Sequence, residues 1–171
     1  MKVMPTIGFT LFISLFFVVG FAILGYGIRS LVLSNKAKTW PTTKGHIETC
    51  MVTESSDSEG GPTYRVDVRY NYTVAGEQHT GDRIAFGYAG SGQRSMHQEI
   101  ADRLAAAKTV LVRYDPANPS RAVLSYGPNL STIILLVFGT TWLLFTTGFA
   151  ALWLTSSLSD TGILNTLVTT R

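Results

Sequence analysis

Residues 64–74, Tyr-Arg-Val-Asp-Val-Arg-Tyr-Asn-Tyr-Thr-Val, alternate between apolar or aromatic side chains at even positions and polar side chains at odd positions. This period of two predicts a strand with one buried and one solvated face. Ala75-Gly76-Glu77 follows as a short turn, so we expect residues 78–86 to return as the second strand of a hairpin. The stretch therefore predicts a domain built on an antiparallel sheet.

The sequence around this hairpin predicts three further strands and one helix. We place the strands at residues 44–52, 109–114 and 121–125. Residues 93–108 carry apolar side chains at helical spacing, which predicts an amphipathic helix on the sheet, and residues 55–62 are polar enough to form a loop. The order β-β-β-α-β-β indicates a small five-stranded antiparallel sheet, curled or barrel-like, with one helix.

Two long apolar segments flank this domain. Residues 3–28 and 122–159 contain no Asp, Glu, Lys or Arg, whereas residues 29–121 hold 12 of the 14 basic and 10 of the 11 acidic residues. About 20 apolar residues cross a bilayer, so we predict transmembrane helices at residues 7–28 and 130–154. The first is longer than the core of a signal peptide, which favours an uncleaved anchor.

The sequence accordingly predicts an α+β membrane protein in four segments. They are residues 1–33 with the first transmembrane helix, 34–126 as the β-rich domain, 127–158 with the second transmembrane helix, and 159–171 as a short tail. Basic residues follow the first span and precede the second, which favours a cytoplasmic domain. Neither predicted span contains an ionisable side chain, which argues against a pump or carrier.

Composition excludes some classes of function. The sequence pI is about 9.1, yet acids and bases are interspersed, unlike the clustered bases of a nucleic-acid-binding surface. The single cysteine, Cys50, has no partner for an internal disulfide or a cysteine-based zinc site. His46 lies four residues before Cys50 and should share its strand face, but two ligands do not make a metal site. We expect no metal and no cofactor, and we place His46, His79 and His97 at the surface or at an edge.

Two loops invite a chemical interpretation. Residues 87–92 are rich in glycine but lack a Walker lysine, so we expect a turn into the helix with Ser91 as its cap. Asp115, Pro116, Asn118 and Pro119 form the motif Asp-Pro-Ala-Asn-Pro, in which Asx side chains and prolines fix a turn. We therefore assign these four residues a structural role, and we predict no catalytic residue.

Four aromatic residues are candidates for a binding surface. Tyr64, Tyr70 and Tyr72 share one face of the predicted strand, and Phe86 ends the next one. They are expected to build the core. If the helix leaves part of that face uncovered, the four side chains would instead form an aromatic groove for a partner.

Several motifs resemble one known family. Residues 40–47 read Trp-Pro-Thr-Thr-Lys-Gly-His-Ile, the strand at 66–72 leads to Gly-Asp-Arg-Ile at 81–84, and residues 114–119 read Tyr-Asp-Pro-Ala-Asn-Pro; Ala-Val-Leu at 122–124 and a glycine then precede the second span. In this layout the chain resembles the family called domain of unknown function 3592, found widely in bacterial membrane proteins. The resemblance implies a bacterial inner-membrane location and supplies no catalytic residue.

These observations predict a membrane-anchored, non-enzymatic protein-interaction module, of the kind that could serve in envelope stress or toxin immunity. Its expected partners are the lipid bilayer and either another protein or a second copy of the chain, with no nucleic acid. The alternative is a structural or accessory subunit whose helices pack into a larger membrane complex. An enzyme with an unrecognised site is a third hypothesis.

Overall fold

The computed structural model describes the backbone of residues 3–56, 61–107 and 109–167, and the side chains of residues 7–56, 61–107 and 109–156. Residues 57–60, which are half of the predicted loop at 55–62, and the last four residues of the predicted tail lie outside this description. The elements are α1 Val3–Ala37, β1 Thr42–Ser55, β2 Thr63–Val74, β3 Glu77–Gly81, α2 Arg94–Ala106, β4 Val110–Asp115, β5 Asn118–Val123 and α3 Leu130–Leu167. The predicted order of a helix, a five-stranded antiparallel sheet and a helix is confirmed.

The sheet is open, with strand order β3-β2-β1-β4-β5 and antiparallel neighbours throughout. It is nevertheless curled, because its edge strands β3 and β5 approach each other. The Tyr72 hydroxyl donates to the carbonyl of Pro119 at 2.7 Å. Beyond the strands, the N–H groups of Leu124 and Ser125 donate to the carbonyl of Ile84 at 3.1 and 2.7 Å. The predicted curled sheet is therefore found, and it does not close into a barrel.

The β2–β3 hairpin turns at Ala75 and Gly76, as the sequence predicts. Both residues have positive φ, 51° and 88°, which is the pattern of a type I′ hairpin turn. The returning strand is shorter than predicted and ends at Gly81, opposite Tyr70. A Cβ on Gly81 would lie 2.4 Å from the Tyr70 ring, so the chain passes directly over that ring and then leaves the sheet.

Strand β1 contains a bulge that the sequence did not predict. The register with β2 shifts between Ile47 and Thr49, and a bulge of this kind inserts one residue into one strand. Before it, the inner positions are Gly45 and Ile47; after it, Cys50 packs against the core. His46 is therefore on the outer face and Cys50 on the inner face. The prediction that these two residues share a face was wrong.

The core lies between the concave face of the sheet and α2. Its buried members are Val68, Tyr70, Tyr72, Val112 and Ala122. The predicted amphipathic helix is α2, but its fully buried side chains are those of His97 and Ala101. Met96 and Ile100, which the apolar pattern placed inward, are only partly buried. A second cluster joins Ala37, Trp40, Phe86 and Val123.

The chain divides into two compact units. One, the helical unit, comprises residues 1–26 and 135–171; the other, the β unit, comprises residues 27–134. Two helical segments, Ile7–Ala37 and Leu130–Ser156, are long and apolar enough to cross a membrane. Within the helical unit, the Trp142 indole N–H donates to the carbonyl of Phe16 at 2.9 Å, and a Cβ on Gly139 would lie 3.2 Å from the backbone of Leu24. The two helices therefore pack closely against each other.

Candidate functional site

A charged cleft lies beside β2 in the β unit. It consists of two adjoining depressions of about 190 and 280 Å³, which share Arg65, Asp67 and Asp82. The smaller depression extends to Tyr88 and the larger one to Met51. We refer to these depressions together as the charged cleft.

The alternation of β2 explains why charges line this cleft. Because successive side chains point to opposite faces, the odd-numbered residues of β2, Arg65, Asp67 and Arg69, share its outer face. The Arg65 Nε donates to Asp67 Oδ1 at 2.9 Å, and Thr53 Oγ1 on β1 donates to Asp67 Oδ2 at the same distance. Within the described residues, the side chains of Asp82, Arg69 and Arg83 make no hydrogen bond or ion pair. The cleft thus combines one satisfied ion pair with one acidic and two basic side chains that can meet a partner.

A buried histidine stands behind the cleft. His97 has no exposed surface. Its Nδ1 lies 2.7 Å from the Tyr88 hydroxyl, and its Nε2 lies 2.9 Å from Ser91 Oγ. The Tyr88 oxygen also accepts the N–H of Val66 at 3.2 Å. The predicted surface position of His97 was wrong. The helical spacing of residues 97, 101 and 104 could have indicated it, had histidine been counted with the apolar residues.

The environment of His97 favours its neutral form. Burial lowers the pKa of His97, and burial raises the pKa of Tyr88. In the neutral ring, one nitrogen donates and the other accepts, so the ring can hydrogen-bond to both Tyr88 and Ser91. A serine beside a histidine could be a nucleophile, but Ser91 Oγ also accepts the N–H of Gln93 at 3.3 Å. This arrangement fits a role in fixing residues 88–93 against α2.

Residues 87–92 close one edge of β2. Tyr64 and Ser91 exchange both main-chain hydrogen bonds, at 2.8 and 3.0 Å. The predicted helix cap is displaced as a result. The helix begins at Arg94, its N-cap residue Gln93 makes no side-chain cap bond, and Ser91 lies two residues earlier. Ser91 was therefore wrongly predicted as the cap.

The pair of strands β1 and β2 is open at its other edge, on the side of β1 that faces away from β2. Strand β1 pairs with β2 from Gly45 to Ser55, but it pairs with β4 only over residues 42–45. Within the described residues, no strand covers the far side of β1 from Ile47 to Ser55, and we call this segment the free edge of β1. Met51, which is 55% exposed, lies within it.

Comparison with known proteins places the chain in a family. Residues 43–129 match the model of the family described as Domain of unknown function (DUF3592). The chain belongs to this family. The match spans the sheet, α2 and the segment leading to α3. No curated protein and no solved structure matched the chain.

The predicted turn of the DUF3592 domain joins β4 to β5. Asp115 is buried, and its Oδ1 accepts the N–H of Ala117 at 3.0 Å. Its Oδ2 lies 3.5 Å from Nη1 of Arg121. Asn118 accepts the Ser120 hydroxyl rather than a backbone N–H. Pro116 lies in the turn and Pro119 follows it on β5, where its carbonyl accepts the hydrogen bond from Tyr72. These contacts are those of a structural turn.

The four candidate aromatic residues of the DUF3592 domain are not brought together in one groove. Tyr70 and Tyr72 are buried in the main core cluster, and Phe86 is buried beside Trp40 in the second cluster. Only Tyr64 is partly exposed, with the guanidinium of Arg94 5.6 Å from its ring centre. Three of the four side chains are therefore covered in this structure.

Proposed function

We propose that this protein is a membrane-anchored, non-enzymatic interaction module whose β unit binds an extended segment of a partner protein. The observation that carries this proposal is the free edge of β1. An open edge presents unpaired N–H and C=O groups, and an added strand can satisfy them. We place the two apolar helices across the bacterial inner membrane and the β unit on the cytoplasmic side.

The exposed apolar surface of the helices supports the membrane part of the proposal. Large side chains such as Phe145, Leu152 and Leu144 are about 70% exposed. Soluble proteins rarely leave contiguous apolar patches larger than a few hundred Å² in water. In a bilayer, lipid hydrocarbon chains would cover this surface, so the apolar side chains would not be exposed to water.

The sequence of the free edge suits strand addition. Residues 49–53, Thr-Cys-Met-Val-Thr, carry no charge and favour extended structure. The length of the free edge is limited at one end by the bulge and Glu48 and at the other end by Glu54. Charged residues and bulges are common at sheet edges that avoid pairing with other chains. The charged cleft lies on the adjoining strand, so a bound segment would gain affinity from main-chain bonds and specificity from Asp82 and Arg69.

The non-enzymatic part rests on the arrangement of the titratable groups. His97 is the group best suited to proton transfer near the cleft, and it is closed off from solvent. Arg65 and Asp67 likewise bind each other, and Asp67 also accepts a hydrogen bond from Thr53 on β1.

Position-specific photo-crosslinking tests the proposed edge. A photoreactive amino acid at Met51 should give a defined protein adduct in cells, whereas one at Leu111, which is 65% exposed on β4, should not. Thr49→Lys should abolish the adduct, because an edge lysine opposes strand pairing. Thr42→Lys, on the part of β1 that pairs with β4, is the matched control. Equal adducts from both positions, or an adduct insensitive to Thr49→Lys, would contradict the proposal.

Replacing both helices by unrelated membrane spans separates the two functional hypotheses. An interaction module retains the Met51 adduct after this exchange. An accessory subunit held by its helices loses it. An adduct with a second copy of this chain would assign self-association in place of a different partner.

A further inference from the structure

Arg113 on β4 is held in place by three contacts near the end of α1. Its Nη1 donates to the carbonyl oxygens of Lys38 and Trp40 at 3.2 and 3.4 Å. Its Cζ lies 4.3 Å from the centre of the Tyr126 ring. All these residues belong to the β unit. The guanidinium is therefore oriented before any ligand arrives.

None of these contacts neutralises the charge of Arg113. The arginines of the described residues that form ion pairs are Arg65 with Asp67, Arg103 with Glu99 and Arg121 with Asp115. Arg121 on the neighbouring strand thus has a carboxylate, and Arg113 has none. A guanidinium carries five N–H donors. Within the described residues, both hydrogen bonds of Arg113 use Nη1, so the donors on Nε and Nη2 remain for another acceptor.

Further cations surround this site. The Lys38 main chain contacts Arg113 directly, and Lys44 extends the same outer face of the sheet, since Thr42 lies opposite Arg113 and Lys44 lies opposite Leu111. Both lysines are exposed. Residues 29–47 contain no acidic residue. Lys38, Lys44, Arg113 and Tyr126 together define what we call the Arg113 surface.

The Arg113 surface lies close to where the apolar segments end. The charge-free stretch of α1 ends at Ile28, and Ser34 Oγ donates to the carbonyl of Gly127 at 2.7 Å. At 1.5 Å per residue, Ser34 is about 9 Å beyond Ile28 along the helix. The headgroup layer is about 5–8 Å thick on each side of the hydrocarbon core. The electrostatic attraction of charged headgroups extends about 8 Å further into the water, which is the Debye screening length at physiological salt. Tyr126, 44% exposed, adjoins Gly127, at the level where interfacial aromatics occur.

We propose that the Arg113 surface binds the phosphate groups of anionic phospholipid headgroups. The planar guanidinium of Arg113 can donate to two phosphate oxygens at once. Lys38 and Lys44 add electrostatic attraction to a membrane leaflet that contains anionic lipids. The lipid source is favoured over free phosphate because the site adjoins the ends of both apolar helices. This inference rests on the membrane-spanning part of the proposed function.

Lipid retention by the full-length protein tests this inference. The protein is reconstituted in vesicles with equal phosphatidylglycerol and phosphatidylcholine, extracted in mild detergent, and its retained lipids are counted by native mass spectrometry. Phosphatidylglycerol should be enriched, and Arg113→Gln should lower the enrichment about fivefold, the effect of one basic residue near the surface. Lys38→Gln should also lower the phosphatidylglycerol enrichment and should leave the thermal stability unchanged. This second variant keeps the inference testable if Arg113→Gln impairs folding.

Arg94→Gln is the matched control, because Arg94 is an exposed arginine of α2 that also lies over a tyrosine ring, 5.6 Å from the centre of Tyr64, and has no ion pair within the described residues. Equal retention of the two lipids, an unaltered enrichment in Lys38→Gln, or an equal loss in Arg94→Gln would overturn the inference. Displacement of the lipid by inorganic phosphate, but not by chloride at the same ionic strength, would assign the site to free phosphate and overturn it too. Retention of neither lipid would contradict the proposal that the helices span a membrane. Failure of the proposed function can therefore be distinguished from failure of the lipid-site inference.

Discussion

A Cβ placed on Gly87 would lie 2.3 Å from Oγ1 of Thr132 and 3.0 Å from Cβ of Ser30. Gly87 is thus inserted between the start of α3 and the last part of α1, with a φ of +74°. The Asn129 side chain secures the same junction, since its amide donates to the carbonyl of Phe86 at 2.8 Å and its oxygen accepts the N–H of Thr132 at 2.9 Å. The loop after β3 therefore ties the sheet to both helix ends.

Gly87→Ala should destabilise the β unit strongly. The left-handed backbone of a residue other than glycine costs about 1–3 kcal/mol, and the contact with Thr132 adds to that cost. Thermal unfolding in detergent, followed by circular dichroism, measures the change. Gly76→Ala is the control, because Gly76 has a φ of +88° but open space around it. If both variants lose the same stability, the contact with Thr132 is not constraining.

Ala75→Asn should stabilise the β2–β3 hairpin. Ala75 adopts a φ of +51°, which asparagine tolerates better than alanine, and Asn-Gly is the preferred sequence for turns with positive φ at both central positions. We expect a gain of about 0.5–1 kcal/mol in the free energy of unfolding, since a left-handed residue costs about 1–2 kcal/mol. Ala75→Val should have the opposite sign. A loss of stability with asparagine would contradict the turn geometry.

Stability should fall in mild acid because of His97. Burial lowers its pKa in the folded protein below the ordinary value of 6.5, so the unfolded chain binds the proton first as the pH falls. The free energy of unfolding should therefore decrease as the pH drops from about 6.5 toward the folded pKa and level off below it. His97→Gln keeps a donor and an acceptor but does not titrate. Thermal unfolding between pH 7.5 and 5 should show a smaller acid loss in this variant than in the parent; equal losses would exclude His97 as the cause.

Gly20→Leu should weaken the packing of α1 against α3. A Cβ on Gly20 would lie 2.5 Å from Leu143 and 2.8 Å from Trp142, so a larger side chain forces the helices apart. Gly148→Leu is the matched control, because nothing lies within 4 Å of a Cβ there. In detergent, Gly20→Leu should lower the melting temperature by several degrees, in line with about 1–3 kcal/mol for an overpacked site. A similar loss in Gly148→Leu would show that glycine itself, and not the contact, is what matters.

The sequence predicted those features that repeat along the chain. Strict alternation located β2 and its hairpin, and the charge-free runs located the two apolar helices. The bulge near Glu48 has no periodic signal, because it depends on how β1 fits β2, and so the relative positions of His46 and Cys50 were missed. The early end of β3 is likewise set by the tertiary contact between Gly81 and Tyr70.

The candidate site was harder to predict because long-range contacts build it. The charges of β2 were visible as the odd positions of the alternation, but nothing local showed that Asp82 and Tyr88 return to face them. The free edge of β1 depends on where β4 stops pairing, which a strand pattern does not state. His97 was missed because its two hydrogen-bond partners, rather than its own polarity, make burial favourable.

The strand order has a consequence for biosynthesis. Strand β1 lies at the centre of the sheet, yet its neighbour β4 follows it by more than fifty residues, and only residues 124–129 separate β5 from α3. Pairing that is so distant in the chain is slow. The nascent protein therefore emerges with β1 half exposed, and the sheet is completed only when the second apolar helix is about to leave the ribosome. The β unit therefore completes its sheet only after nearly all of its own chain has been synthesised.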